Sequence, residues 1–138
     1  FVKECTSNLS TEKQTLHLNF MSTHPESYRQ LKENSLLISQ MKDVEALWQG
    51  VEVSYIPKEQ LSGSPEKLGI KNGDILAITT NIKGLDVVHV GFACWKNGLL
   101  HLVHASSSKG KVINDTENLF RYQKGKSRQT GIRVIRFK

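Results

Sequence analysis

Residues 89–106 read HVGFACWKNGLLHLVHAS. Asn97 and Gly98 stand between two runs that are rich in apolar residues. An Asn-Gly pair in this setting is the strongest short-range signal for a two-residue type I′ hairpin, because both central residues of that turn need a positive φ. The stretch therefore predicts two antiparallel strands in which Lys96 lies opposite Leu99.

The predicted register gathers polar residues on one face of this hairpin. Counting back from the turn sets Gly91 opposite His104 and His89 opposite Ser106. Cross-strand partners lie on the same face of a sheet, and so do residues two apart along one strand. Directly opposed Cβ atoms lie about 4.5–5.5 Å apart, within reach of hydrogen bonds between imidazoles and a hydroxyl. We therefore predict a cluster of these four residues, in which Gly91 leaves open space.

The histidines of this cluster suit base catalysis. An imidazole titrates near neutral pH, and a second polar group such as His104 or Ser106 can fix the tautomer of His89. Two structural histidines would have the same spacing, so both interpretations stay open. Zinc binding with Asp86 or His24 as a third ligand is a further alternative, although no metal-ligand or cofactor motif supports it. Ser106 lacks the Gly-x-Ser-x-Gly pattern of a nucleophile elbow.

The chain contains two cysteines, which cannot form a disulfide framework. The register places Cys94 opposite His101, on the other face of the hairpin from His89. Its predicted neighbours there are apolar, and an apolar setting raises the pKa of a thiol. We therefore expect Cys94 to be inert. At 138 residues the chain can bury an adequate core without disulfides.

Helical patterns precede the hairpin, and strand patterns surround it. Residues 23–48 read as helix, with a capping-box start at Thr23 and an apolar stripe expected to face the core, and Asn34 divides the segment. A short helix is predicted at 116–123. Strand patterns lie at residues 16–20, 51–56, 75–80, 87–95, 99–106, 111–113 and 132–137. Helices followed by strands predict an α+β fold with an antiparallel sheet, and we expect residues 1–138 to form a single domain.

Positive charge is concentrated at one end of the chain. The net charge is +6, and residues 109–138 contain nine basic against two acidic side chains. This distribution indicates an anionic polymer as partner, such as nucleic acid, a membrane surface or a glycan, or simply a solvated surface. Nucleic acid is disfavoured because few aromatic side chains interleave with the charges. No apolar run reaches the length of a transmembrane helix, and no signal peptide is evident.

Several motifs together resemble the C-terminal half of the NlpC-type, papain-like cell-wall cysteine peptidases. They are GDIL at 73–76, HVGF at 89–92 and VHAS at 103–106. Longer stretches resemble the AmiA-like branch, whose members are N-acetylmuramoyl-L-alanine amidases. These are FMSTH at 20–24, DILAITTN at 74–81, GLDV at 84–87, KGKV at 109–112 and GIRVIR at 131–136. The resemblance covers nearly the whole chain.

The resemblance implies a peptidoglycan hydrolase with a papain-like fold that cleaves the amide between N-acetylmuramic acid and L-alanine. It implies peptidoglycan or muropeptides as partner, no cofactor or metal, and a location in the periplasm or cell envelope. His89 matches the family's general base, and His104 matches its orienting polar residue. We add Ser106 from the hairpin register as a third catalytic candidate. The candidates for substrate binding are Ser22, Thr23, His24, Gly91 and Arg133.

The family's nucleophile is a cysteine in an Asp-Cys-Thr-like motif at a helix start, where the helix dipole and a histidine lower the pKa of the thiol. That motif is absent. Cys5 in KECT, residues 3–6, resembles it superficially, but the family's order places Cys5 after the nucleophile helix. We therefore expect this chain to be the C-terminal part of a larger domain, with the nucleophile lost or supplied by its own N-terminal segment or a separate chain. The alternative is a catalytically inactive module that binds muropeptides.

Overall fold

A computed structural model describes all 138 residues. The strands are β1 (Val2–Glu4), β2 (Lys13–Leu16), β3 (Val51–Ser54), β4 (Ile56–Pro57), β5 (Ile75–Thr80), β6 (Val87–Lys96), β7 (Leu99–Ser106), β8 (Lys111–Asn114) and β9 (Gln129–Phe137). The α-helices are α1 (Phe20–Thr23), α2 (Ser35–Ala46), α3 (Pro65–Leu68) and α4 (Leu119–Lys124). None of these helices has the length and apolar character that crossing a lipid bilayer requires.

Seven strands form one sheet in the order β1-β9-β5-β6-β7-β8, with β4 also paired to β9. The strands β2 and β3 form a separate ribbon. Every recorded strand pair is antiparallel. The prediction of an α+β fold with an antiparallel sheet is therefore confirmed, although the helices are shorter than predicted.

The β6–β7 hairpin turns where the Asn-Gly pair predicts. Asn97 and Gly98 both have positive φ, at 51° and 75°, and the register runs from Lys96 opposite Leu99 to Phe92 opposite Val103. The ladder ends there. The predicted pairs Gly91–His104 and His89–Ser106 are therefore not part of the β6–β7 ladder. Beyond this point β7 pairs with β8, and β6 pairs with β5.

One face of the sheet carries most of the core. Leu76, Ile78, Leu102, Ile132 and Val134 are at most 1% exposed. His89 lies opposite Ile78 on β5, so it shares this face. The expectation of open space at Gly91 is wrong: a Cβ there would lie 2.7 Å from Leu102 Cγ, because the leucine side chain fills that position.

The helical segment before β3 differs most from prediction. Thr23 ends α1 instead of starting a helix, and its hydroxyl donates a hydrogen bond to the Asn19 carbonyl at 2.7 Å. Asn34 does divide the segment, since its side chain caps α2 by accepting from the Leu37 N–H at 3.1 Å. The stripe on α2 is not core, as Val44 is 51% exposed. Helical periodicity identifies an apolar face, but it does not supply an element to cover that face.

Two other predicted boundaries shift. The strand predicted at 16–20 lies earlier, as β2, and Phe20 begins α1. The short helix predicted at 116–123 begins later, as α4, where the Asn118 side chain accepts from the Arg121 N–H at 3.1 Å. At α4 the capping side chain sets the boundary, a local detail that periodicity does not locate.

An ion pair fixes the start of β5 to the end of β9. Arg136 donates from Nε to Asp74 Oδ1 at 2.7 Å and from Nη2 to Asp74 Oδ2 at 2.6 Å. The same Nη2 also donates to the Gly69 carbonyl at 2.9 Å. Asp74 is only 3% exposed, so this fork-shaped contact satisfies a buried carboxylate.

Candidate active site

A chain of hydrogen bonds connects His89, His104 and Asp115. His89 Nε2 lies 2.7 Å from His104 Nδ1, and His104 Nε2 lies 3.0 Å from Asp115 Oδ2. The two imidazole rings meet edge to face, with centroids 4.9 Å apart. The sequence prediction that His89 and His104 lie on one face within reach of each other is confirmed.

The carboxylate fixes the tautomers along this chain. An ionised carboxylate only accepts hydrogen bonds, so His104 must carry its proton on Nε2. Its Nδ1 is then an acceptor, and His89 must donate from Nε2. The consequence is that His89 Nδ1 has a free lone pair, which is the state that a general base needs.

Electrostatics keep both ends of the chain in these protonation states. Burial alone would raise the pKa of Asp115, but hydrogen bonds from His104 and from the Glu117 N–H, the latter at 3.1 Å, outweigh burial and hold that pKa below its usual value. Burial lowers the pKa of His89, and repulsion between the two rings when both are protonated lowers it further. Asp115 is thus an anion and His89 a neutral imidazole at neutral pH.

Secondary structure places these groups together. His104 lies opposite Ile113 in the β7–β8 ladder, and Asp115 follows directly after β8. The Asp115 N–H donates to the Leu102 carbonyl at 2.9 Å, which continues the ladder by one step and puts the carboxylate beside His104. Tyr122 of α4 packs edge-on against the other side of His104, with ring centroids 5.8 Å apart. His104 is held from three sides and is 6% exposed.

A cleft of about 700 Å³ opens in front of the histidines. Its lining comes from the start of β6, the end of β7, the following turn, β8 and the residues after it, α4 and the start of β9. The lining residues are Val88, His89, His104, Ala105, Ser106, Ser107, Ser108, Lys109, Lys111, Ile113, Asn114, Asp115, Thr116, Tyr122, Lys126 and Gln129. The volume is within the range of small-molecule sites, about 300–1,000 Å³. No group of three or more His, Cys, Asp or Glu side chains is placed to hold a metal ion.

Ser106 lines this cleft but does not bond to the histidines. Its hydroxyl lies 3.1 Å from the Ser108 hydroxyl and accepts from the Lys109 N–H at 3.3 Å. These contacts stabilise the turn between β7 and β8. A catalytic role for Ser106 stays a prediction, and nothing in its hydrogen bonding orients His89.

The structure does not bring the substrate-binding candidates to the cleft. Ser22, Thr23 and His24 lie around α1, where His24 stacks on Phe20 with centroids 4.1 Å apart. Thr23 and His24 line a separate depression of about 580 Å³. Arg133 lies opposite Ala77 in the sheet, on the face turned away from His89, and its buried Nε has no hydrogen-bond partner.

Neither cysteine lines the cleft. Cys5 is part of the hydrophobic core, with its thiol 3.4 Å from the Val134 carbonyl, and burial raises the pKa of that thiol. Cys94 lies opposite His101 on the far face of the hairpin, as the register predicts, and accepts from Asn114 Nδ2 at 3.3 Å. His89 is therefore out of reach of both thiols.

Sequence reasoning missed Asp115 and Tyr122. A signal for Asp115 exists, because extending the β7–β8 pairing by one residue past Asn114 sets Asp115 opposite Leu102, on the same face as His104. Tyr122 had no such signal, since its contact depends on how α4 packs against the sheet.

A family model described as AmiA-like, N-acetylmuramoyl-L-alanine amidase-like, matches residues 1–132. The chain belongs to this AmiA-like family. Solved structures agree with the assignment. An N-acetylmuramoyl-L-alanine amidase from Bacteroides uniformis is 41% identical in sequence and superposes with a TM-score of 0.91. The match covers 100% of this chain and 58% of the amidase chain.

Two further structures are similar to this AmiA-like chain. A Bacteroides fragilis protein described as a candidate xylanase is 46% identical in sequence and superposes with a TM-score of 0.88. The match covers 99% of this chain and 59% of the Bacteroides fragilis chain. The Legionella pneumophila protein LPG0564 is 22% identical in sequence with a TM-score of 0.55, and the match covers 97% of this chain and 55% of the Legionella chain. At this identity the likeness concerns the fold alone. No curated protein matches in a sequence comparison. The chain thus spans a little over half the length of these solved chains.

Proposed function

We propose that this chain supplies the general base and one substrate wall of a hydrolase that cleaves the amide between N-acetylmuramic acid and L-alanine. The observation that carries the proposal is the chain His89, His104, Asp115, which leaves a free lone pair on His89 Nδ1 beside an open cleft. Family membership and the Bacteroides uniformis amidase support this substrate. The nucleophile is a cysteine contributed by a segment outside this chain, since Cys5 and Cys94 lie away from the cleft.

In this mechanism His89 moves one proton in each direction. His89 Nδ1 takes the proton from the thiol, and the thiolate attacks the lactyl carbonyl carbon. As the carbon–nitrogen bond breaks, the imidazolium gives that proton to the leaving amine of L-alanine, and a thioester is left. A water molecule then hydrolyses the thioester while His89 again acts as base. His104 keeps the ring of His89 oriented throughout, and Asp115 stabilises the positive charge on the histidine pair.

The lining of the cleft favours amide cleavage over glycoside cleavage. Most glycosidases need two carboxyl groups, about 5–9.5 Å apart, on either side of the scissile bond. Asp115 is the one carboxylate that lines the cleft, and both of its oxygens accept hydrogen bonds from within the chain. This chain therefore supplies at most one of the two carboxyl groups that a xylanase-type reaction needs.

Three further points belong to the same proposal. The chain corresponds to the C-terminal part of a larger, papain-like catalytic domain, which is consistent with its covering 58–59% of the amidase and candidate xylanase chains. Its place of action is the periplasm or cell envelope, where peptidoglycan is found. The second candidate function, an inactive module that binds muropeptides, is favoured by the distance of both cysteines from the cleft.

The test uses purified muropeptides and a protein that contains this chain within its longer gene product. Mass spectrometry should detect peptides that begin with L-alanine, and His89→Ala should slow their release by about 10²- to 10⁴-fold, the usual contribution of a general base. His17→Ala is the matched control, because His17 is exposed and lies outside the cleft. Binding of muropeptides without any cleavage by the longer protein would favour the inactive module. Cleavage that is unaffected by His89→Ala would contradict the proposal.

A further inference from the structure

The lining of the cleft is rich in uncompensated positive charge. Lys109 and Lys111 lie at the turn and start of β8, and Lys126 follows α4. Asp115 is the one carboxylate in the lining, and both its oxygens already accept hydrogen bonds. None of the three lysines forms an ion pair; the two pairs in the chain are His104 with Asp115 and Arg136 with Asp74. A concave site lined by charge of one sign concentrates ligands of the opposite sign.

One of these ammonium groups is held next to the catalytic chain. Lys126 Nζ donates to the Tyr122 carbonyl at 3.0 Å and lies 4.0 Å from the centroid of the Tyr122 ring. The same ring packs edge-on against His104. Lys126 therefore has a defined position relative to His89, and it retains two N–H donors for a ligand.

Charge also comes from a second, separate segment of the lining. The backbone N–H of Lys109 donates to the Ser106 hydroxyl at 3.3 Å, which fixes the turn from which the Lys109 side chain extends. Ammonium groups from two segments thus border the cleft that contains His89. A ligand with carboxylates at two places along its length would meet both.

We propose, on the basis of the function proposed above, that this cleft selects peptide stems by the charge of their carboxyl groups. The ligand class is a muramoyl peptide that begins with L-alanine and carries free carboxylates on the residues after it. Lys126 and Lys109 are the specificity-determining residues. A carboxylate forms charge-assisted hydrogen bonds with an ammonium, whereas the corresponding carboxamide is neutral and binds more weakly.

Calorimetric titration of this chain with two defined ligands tests the proposal. The ligands are N-acetylmuramoyl-L-alanyl-D-glutamate and its diamide, which differ in charge and hardly at all in size. We expect the dicarboxylate to bind about tenfold more tightly, equivalent to about 1.4 kcal/mol. The ratio should shrink towards one in Lys126→Gln combined with Lys109→Gln and on raising the salt concentration. Lys32→Gln combined with Lys42→Gln is the matched control, since it removes the same two charges from exposed residues outside the cleft, and it should keep the full ratio.

The outcomes separate this inference from the proposed function. Equal affinity for both ligands would overturn charge selectivity and leave the amidase proposal standing. An equal loss of selectivity in the Lys32→Gln, Lys42→Gln control would overturn the assignment to Lys126 and Lys109, because it would reflect net charge alone. Tight displacement of the dicarboxylate by tripolyphosphate would show a general anion site and would also overturn it. Failure of both ligands to bind this chain would overturn the inference, whereas the amidase proposal is judged by cleavage in the longer protein.

Discussion

Replacing Asp115 by asparagine should reverse the tautomers of both histidines. Asp115 uses its two oxygens differently, accepting from the Glu117 N–H at Oδ1 and from His104 Nε2 at Oδ2. An asparagine has one oxygen and one NH₂ group. If its oxygen stays with Glu117, its NH₂ group faces His104 Nε2, which must then become an acceptor. His104 would carry its proton on Nδ1 and donate it to His89 Nε2, and the remaining proton of His89 would move to Nδ1.

The size of this effect follows from the bonds that change. Turning the asparagine oxygen towards His104 preserves the tautomers, but the asparagine NH₂ group then faces the Glu117 N–H, and both groups are donors. Either arrangement also loses a hydrogen bond to a charged acceptor, and such bonds contribute about 1.5–3 kcal/mol. We therefore expect Asp115→Asn to lower the free energy of unfolding by about 1–3 kcal/mol and to remove the free lone pair at His89 Nδ1. In a longer, active protein the amidase rate should fall by about 10²- to 10⁴-fold, the usual contribution of a general base, because His89 then lacks its free lone pair.

Nitrogen-15 NMR of the imidazole rings measures the tautomers directly, and urea denaturation measures the stability. In the unmodified chain at neutral pH, His89 should show an unprotonated Nδ1 and a protonated Nε2. Asp43→Asn is the control, because Asp43 is exposed on α2. An Asp115→Asn variant that keeps the original tautomer of His89 and loses no stability would refute the argument that the carboxylate orients the pair.

Three further changes have defined outcomes. Burial lowers the pKa of His89, so its NMR titration should have a midpoint below that of an unperturbed histidine. This lowered pKa contributes stability that is present above the unfolded-state pKa and lost as pH falls through the folded-state pKa. His89→Gln should remove that pH dependence. Gly91→Ala should cost about 1–3 kcal/mol in urea denaturation, because the new Cβ would meet Leu102 Cγ at 2.7 Å. Arg136→Ala should cost about 3–5 kcal/mol, because it leaves the buried Asp74 carboxylate without its partner.

Matched variants check two of these expectations, and a comparison at two pH values checks the third. Gly125→Ala should be nearly neutral, since no atom lies within 4 Å of a Cβ at Gly125. Arg29→Ala should change stability by less than about 0.5 kcal/mol, because Arg29 is exposed and forms no ion pair. Equal losses in the paired variants would contradict the structural reasons given. For His89, the difference in unfolding free energy between His89→Gln and the unmodified chain should depend on pH. An equal difference at pH 5 and pH 8 would contradict the reason given.

Local signals in the sequence predicted the hairpin and its histidines. The Asn97-Gly98 turn needs two positive φ values, and this requirement fixes the β6–β7 register without knowledge of the rest of the fold. The prediction fails beyond Phe92, where β7 leaves β6 to pair with β8 and β6 continues along β5. That exchange of partners is a property of the whole sheet, and no local pattern reports it.

The errors have the same origin. Gly91 was expected to open space, yet Leu102 from the neighbouring strand occupies it. The apolar stripe of α2 was expected to be core, yet Val44 is 51% exposed, because a periodic pattern does not reveal which element packs on it. Asp115 was missed because its role depends on the β8 register, although the pairing rule that located His104 also places Asp115 beside it.

The central claim is that this chain holds the base of a cysteine amidase but not its nucleophile. The most direct measurement is the release of L-alanine-terminated peptides from muropeptides by the isolated chain carrying Cys5→Ala and Cys94→Ala together, compared with the longer gene product. The account predicts no release by the isolated chain and release by the longer protein that is lost in His89→Ala. Release by the isolated double variant would contradict the account, because no thiol would then be available.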